Sequence, residues 1–194
     1  MRWAWLLLLL TGCFGTSAPE SVYYVLEAPP ATASTASPRS GTLLVRRFAT
    51  APGYDRSELV YRTQALQLRL HPYDLWAARP GRMVSDAIAA HLAGTRLFAS
   101  VVTGPSEALP VYELRGEVGV IDARALGKDE WVARLEVRME MVDVASEREL
   151  WHYTFATERP IAKHTPAAMV DALDAILGDE LGRVTASIDQ ALPR

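Results

Sequence analysis

The residue with the most specific chemistry is the chain's only cysteine, Cys13, which closes Leu10-Thr11-Gly12-Cys13. Two small residues before a thiol, with leucine three positions ahead of it, match the lipobox cut by lipoprotein signal peptidase. The reaction implied is thioether formation between the sulfur and a diacylglyceryl group. Cleavage before Cys13 then frees an amine for a further acyl chain, commonly palmitate. The flanking residues agree. Arg2 and the amino terminus form a short positive region, and the apolar run Trp5 to Leu10 is far shorter than the ~20 residues that span a bilayer. At ~0.8 kcal/mol per buried methylene, two or three acyl chains hold much more firmly than one myristoyl chain. An ordinary signal peptide would leave an odd thiol in an exported chain, which is the less natural outcome. Phe14, where an aspartate would act as an avoidance signal, implies delivery to the outer membrane on its periplasmic face.

No second chemistry competes with lipidation. His71, His91, His152 and His164 fall in different elements at no ligand spacing, so no metal site is expected, and the four read as surface or interface residues. No G-x-S-x-G elbow occurs, and Gly104-Pro105-Ser106-Glu107 does not supply one. The glycines are too scattered to cradle a phosphate. Glu136 and Glu140 alternate with arginines, the pattern of a solvated strand face whose cross-strand ion pairs contribute ~0.2 to 1 kcal/mol each. No catalytic residue and no cofactor beyond the covalent lipid is therefore expected, and the chain reads as a non-enzyme.

The net charge of −3 without a basic cluster argues against nucleic acid as partner. With Cys13 consumed by lipid no internal disulfide can form, so the fold rests on packing, for which the length suits one domain with a real core.

The elements that carry these residues follow from periodicity. Ser21 to Leu26 is β-branched and aromatic and reads as a short strand. Residues 29–41, rich in Pro, Ala, Ser and Thr, read as a flexible loop, either a tether or a long connection between strands of one sheet. Leu43 to Phe48 is a second strand, followed by a Pro52-Gly53 turn. Leu66, Leu68 and Leu70 alternate with Gln67, Arg69 and His71, predicting a half-buried strand after a turn near Thr63 and Gln64, with a break at His71 to Trp76. Met83, Val84, Ala87, Ile88, His91 and Leu92 predict a helix over 80–93, with Gly94 as its stop. Leu97 to Val102 is a short strand. Tyr112, Leu114, Val118 and Val120 are expected on one face of a longer one, where Gly116 and Gly119 mark a bulge or a close backbone contact. Trp131 to Met141 alternates most cleanly, and Trp151, Tyr153 and Phe155 repeat the pattern. These three strands read as an antiparallel meander with one wet face, their large aromatics serving as core rather than as a lipid cleft. Thr165-Pro166 opens a final helix whose apolar face runs from Met169 to Leu192.

Tyr23-Tyr24-Val25-Leu26, Pro52-Gly53-Tyr54 leading into Leu59-Val60-Tyr61-Arg62, and Trp76 followed by Pro80-Gly81 together resemble the ABC-type transport auxiliary lipoproteins, the group that includes paraquat-inducible protein C. The resemblance runs over nearly the whole chain after the cysteine. It implies a lipid-anchored periplasmic partner of a transport system built on mammalian-cell-entry (MCE) domain proteins, supporting lipid traffic between membranes and envelope integrity, with no enzymatic activity. Tyr54, Arg56, Tyr61, Arg62 and Trp76 carry much of the resemblance. They combine the residue types enriched at interface hot spots with turns that bring them to an edge, so they are the candidate partner-binding surface.

The resulting expectation is an α/β (α+β) single domain, a mainly antiparallel mixed sheet covered by two principal helices. The signal peptide occupies 1–12, the lipidated tether 13–20 and the domain 21–194. Membrane contact runs through the anchor, the partner is an MCE-domain protein, and homo-oligomers are compatible with the chain. A lipid carrier with its own apolar cleft is the alternative.

Overall fold

A computed structural model describes residues 19–27, 29–105 and 109–193. Nine strands and two helices follow one another as β1 (Val22–Tyr24), β2 (Arg39–Val45), β3 (Ala49–Thr50), β4 (Glu58–Gln64), β5 (Gln67–Trp76), α1 (Pro80–Thr95), β6 (Phe98–Val102), β7 (Pro110–Ala125), β8 (Trp131–Asp143), β9 (Glu149–Pro160) and α2 (Pro166–Ala191). Cys13 and its lipobox lie outside the described residues.

The strands form one mixed sheet organised around β7. One edge of β7 pairs antiparallel with β8 along its whole length, and β8 pairs antiparallel with β9, giving the expected meander. The opposite edge takes three shorter strands in succession, all parallel to β7: β2, then β3, then β4. Beyond β2 lies β6, while β4 continues through the antiparallel hairpin to β5 and then to β1. The long ladders are thus antiparallel and the short ones parallel.

Both helices pack on the same face of the sheet, where Leu43, Leu59, Leu114, Ile121, Leu135 and Met141 meet Ile88, Leu92, Leu173, Ile176 and Leu177 in a fully buried core. α2 begins where its sequence predicts: Thr165 accepts a hydrogen bond from the Ala168 amide at 3.2 Å, and Pro166 occupies a position whose missing N–H would be unpaired in any case. α1 docks through Gly81, where a Cβ would lie 2.3 Å from the Phe48 carbonyl oxygen, so only glycine permits that approach.

Five local expectations are corrected. Gly94 does not stop α1; the helix continues through Thr95, and Arg96 takes the left-handed conformation with φ of 57°. Gly94 instead faces Ala31, whose Cβ would be 3.0 Å from an added methyl, leaving room for the 29–38 connection to cross the helix. That stretch links β1 to β2, the second of its two readings, with the Ser34 amide donating to the Thr95 carbonyl at 2.7 Å and residues 39–41 already inside β2.

The face Tyr112, Leu114, Val118, Val120 is split. Val118 pairs with Val137 but Val120 pairs with Glu136, so Gly119 is an extra residue that carries Val120 to the face away from the helices. Finally, Leu66, Leu68 and Leu70 are not half-buried but 99%, 42% and 37% exposed, because Leu70 pairs with Val60 and so shares the face of β4 that carries Arg62 and lies away from both helices. β5 also runs unbroken through His71 to Trp76. Pro72 is tolerated there because, among the described residues, the outer edge of β5 is unpaired until β1 joins at Asp74.

The buried Arg39 ties the first long strand to the end of α2. Its guanidinium donates to the carbonyls of Asp189 (2.9 Å), Leu192 (2.7 Å) and Pro193 (3.2 Å) and pairs with Asp189 Oδ1 at 2.9 Å. Carbonyls at a helix C-terminus lack partners and carry partial negative charge, so a cation there satisfies both needs.

Candidate docking site

The five candidate partner-binding residues separate across the sheet. The Pro52-Gly53 turn closes with the Tyr54 and Asp55 amides donating to the Ala51 carbonyl at 2.8 and 3.1 Å, which swings Tyr54 back under the sheet. Its hydroxyl donates to Asp122 Oδ2 at 2.8 Å. Arg62 Nε donates to the same oxygen at 2.5 Å, its Nη2 reaches the Tyr54 hydroxyl, and its Cζ sits 5.7 Å from the Tyr54 ring centroid. Asp122 is fully buried and its Oδ1 has no partner. Burial pushes the Asp122 carboxyl up from its ordinary value, opposed by the charge and hydrogen bond of Arg62 and more weakly by Arg134 and Arg124. Tyr54, Arg62 and Asp122 therefore form a buried polar pin that fastens the segment after β3 to β7.

Tyr61, one residue earlier on β4, faces the opposite side with Ala123. Its ring centroid is 4.6 Å from His71 and 6.2 Å from Trp131, and Trp131 stacks on His164 at 3.8 Å. Burial lowers the His71 pKa, partly offset by Asp74, whose Oδ2 is 3.9 Å from Nδ1. Arg56 stays at the turn, half-buried, with Nε donating to the Gly53 carbonyl at 3.0 Å. Trp76 is a core residue: only 2% exposed, it ends β5 opposite Tyr24, and its amide donates to the Ser57 carbonyl at 2.6 Å. Arg56 and Tyr61 are thus the two of the five that are neither fully buried nor part of the pin; both are half-buried, Tyr61 with its ring packed against the edge of the core.

Sequence reasoning missed Asp122. The signal was present as one acid within Val120-Ile121-Asp122-Ala123, but only the Gly119 bulge reveals which face it takes. The expected solvated face is found on β7 to β9, where Arg138 pairs with Glu117 at 3.2 Å, Arg134 with Glu136 at 3.1 Å and Arg124 with Glu158 at 2.9 Å. His152 is exposed beside Glu149 Oε1 at 2.7 Å, whereas His91 is buried on α1 with Nδ1 3.4 Å from the Pro29 carbonyl. Among the described residues no group of three or more His, Cys, Asp or Glu could hold a metal ion. A cleft of about 660 Å³ opens at the sheet rim between Arg46, Arg47, Val102 and Pro105, away from the packed layer between sheet and helices. No described helix is long and apolar enough to cross a membrane.

Residues 24–184 match the family model described as ABC-type transport auxiliary lipoprotein component. The crystal structure of a Xanthomonas campestris protein of the DUF330 family is similar with a TM-score of 0.73 at 20% identity, covering 84% of this chain and 92% of that one. A second crystal structure, of an uncharacterized protein, gives a TM-score of 0.69 at 18% identity and covers 88% of this chain and 99% of that one. At such identities the likeness is one of fold. No curated protein matches the chain.

Proposed function

The chain belongs to the ABC-type transport auxiliary lipoprotein component family, and from that premise we propose that it is a non-catalytic accessory subunit held at the periplasmic face of the outer membrane by lipid on Cys13. Its domain docks the periplasmic MCE-domain component of a lipid transport system, and the tether raises the effective concentration of the two. Tethering alone can raise apparent affinity by ~10² to 10⁴ when the linker reaches. The observation that carries this reading is the order of parts: a lipobox cysteine ends a short leader, a brief stretch whose one charged residue is Glu20 follows, and the family domain begins at residue 24.

The continuous core of buried side chains between sheet and helices supports an adaptor over a carrier that holds lipid within that layer, and the clefts of about 660 and 700 Å³ open at its rim, beside β2 and between α1 and β6. The docking surface lies on the flank of β4, at Arg56 and Tyr61. The test is co-purification with an MCE-domain protein of the same organism. Arg56→Ala with Tyr61→Ala should weaken recovery of the partner in protein that still melts cooperatively, with a midpoint lowered because the Tyr61 ring packs against the core. Undiminished recovery removes this surface, and lipid co-purifying stoichiometrically with the delipidated domain would replace the adaptor with a carrier.

A further inference from the structure

We propose that the turn of the β4–β5 hairpin is a second membrane contact, resting on the same bilayer that holds the acyl chains of Cys13. This rests on the anchored reading above and adds an orientation to it.

Direction comes first. β1 is parallel to β5, with Val22 opposite Asp74, so the chain enters β1 from the side on which the hairpin turn lies. Cys13 precedes Val22 by as many residues as Ala65, in the turn, precedes Asp74. At ~3.3 Å per residue in extended chain, the covalent reach of the tether therefore equals the length of β5 from Asp74 back to the turn. Acyl chains on Cys13 can enter a bilayer at the level of the hairpin tip without the domain lifting away.

Composition agrees with that placement. Leu66 is 99% exposed at the tip, with Leu68, Leu70 and Tyr73 also exposed behind it. No acidic residue occurs between Glu58 and Asp74, while Arg69 lies among the leucines. Apolar tips flanked by tyrosine and arginine suit the headgroup boundary, where long cationic side chains reach phosphates while their stems stay in apolar surroundings. The same end of the sheet holds the β7–β8 turn with exposed Leu126 and Lys128, and the loop after β9 with exposed Lys163 and His164. Lys128 and Lys163 are the chain's only lysines, and Asp129 and Glu130 are the acids beside them. The opposite end, at the turn after β8, carries exposed Ser146, Glu147 and Arg148 beside the exposed apolar side chains of Val144, Val111 and Leu109, with no lysine among them and no tether entering from that side.

The test uses the lipidated protein extracted from membranes and reconstituted into phosphatidylethanolamine–phosphatidylglycerol vesicles. Because Cys13 sulfur is acylated, Leu66→Cys and Ser146→Cys each offer one free thiol for a fluorophore. Nitroxide-labelled lipid should quench the probe at 66 and leave the one at 146 bright. Equal response at the two positions in protein that floats with the vesicles overturns the proposal and spares the anchor. A probe at 66 shielded from aqueous iodide but untouched by the nitroxide lipid assigns the hairpin to a second copy and overturns it too. Protein that does not float and retains a free Cys13 thiol defeats the anchor reading and this one together.

Discussion

Arg62 Nε and Asp122 Oδ2 stand 2.5 Å apart across the β4–β7 pair, with the arginine side chain 20% exposed and the aspartate 1%. The asymmetry decides which partner is harder to lose. Arg62 can turn toward water, but Asp122 has nowhere to take its charge.

Arg62→Met should therefore cost about 3 kcal/mol near neutral pH, the scale of a buried ion left unpaired, whereas Asp122→Asn should cost about 1 kcal/mol. A carboxyl whose folded value lies above its unfolded one binds protons more tightly when folded, so acidification favours the folded state. Urea denaturation of Arg62→Met should then show stability regained as pH falls toward the raised value of Asp122. A loss independent of pH would mean that the carboxylate is solvated.

Arg39 spans strand and helix by four contacts that a single ammonium cannot reproduce. Arg39→Lys should cost about 2 to 4 kcal/mol despite conserving charge. Amide exchange in the last turns of α2 should speed up more than in β8, and uniform acceleration would deny Arg39 its local role.

At Gly116 an added Cβ would lie 2.5 Å from Cε2 of the buried Phe48 ring. Gly116→Ala should destabilise by about 1 to 3 kcal/mol through overpacking. Combined with Phe48→Leu the two losses should fall short of their sum, because the second change vacates the space the first one needs. Simple additivity in denaturation midpoints would place the strain elsewhere.

Glu113 is nearly buried and takes hydrogen bonds from Arg46 at 2.9 Å and Arg115 at 2.6 Å. The bond from Arg46, aided by Arg115 and opposed by burial, holds its carboxyl below the usual carboxylate range. Such a group contributes stability above its unfolded value that is lost as pH falls through the folded one. Glu113→Gln should lower the melting temperature at pH 7 and reduce its decline below about pH 4.3. An unchanged acid limb would remove Glu113 from the titration.

The meander and the final helix were legible because their periods run uninterrupted: Trp131 to Met141 alternates without a slip, and Thr165-Pro166 announces a start that local chemistry alone enforces. The family was legible through the lipobox and the Tyr54-to-Arg62 segment. The site was legible only in its parts. Tyr54 and Arg62 are brought together by Asp122, whose face depends on the one-residue bulge at Gly119, and a bulge leaves little trace in composition. Leu66, Leu68 and Leu70 carried the right strand period and the wrong burial, since alternation shows that one face differs from the other but not whether a helix arrives to cover it. Gly94 resembled a helix stop because spacing cannot distinguish a chain end from a crossing by a distant segment such as Ala31.

The central claim is that fatty chains on one sulfur hold the domain at a membrane, and the most direct measurement is the mass of the amino-terminal peptide from protein recovered in the outer-membrane fraction. The account predicts a mature chain beginning at Cys13 and carrying a diacylglyceryl thioether with an N-acyl group. A peptide beginning elsewhere, or Cys13 with a free thiol, would contradict it.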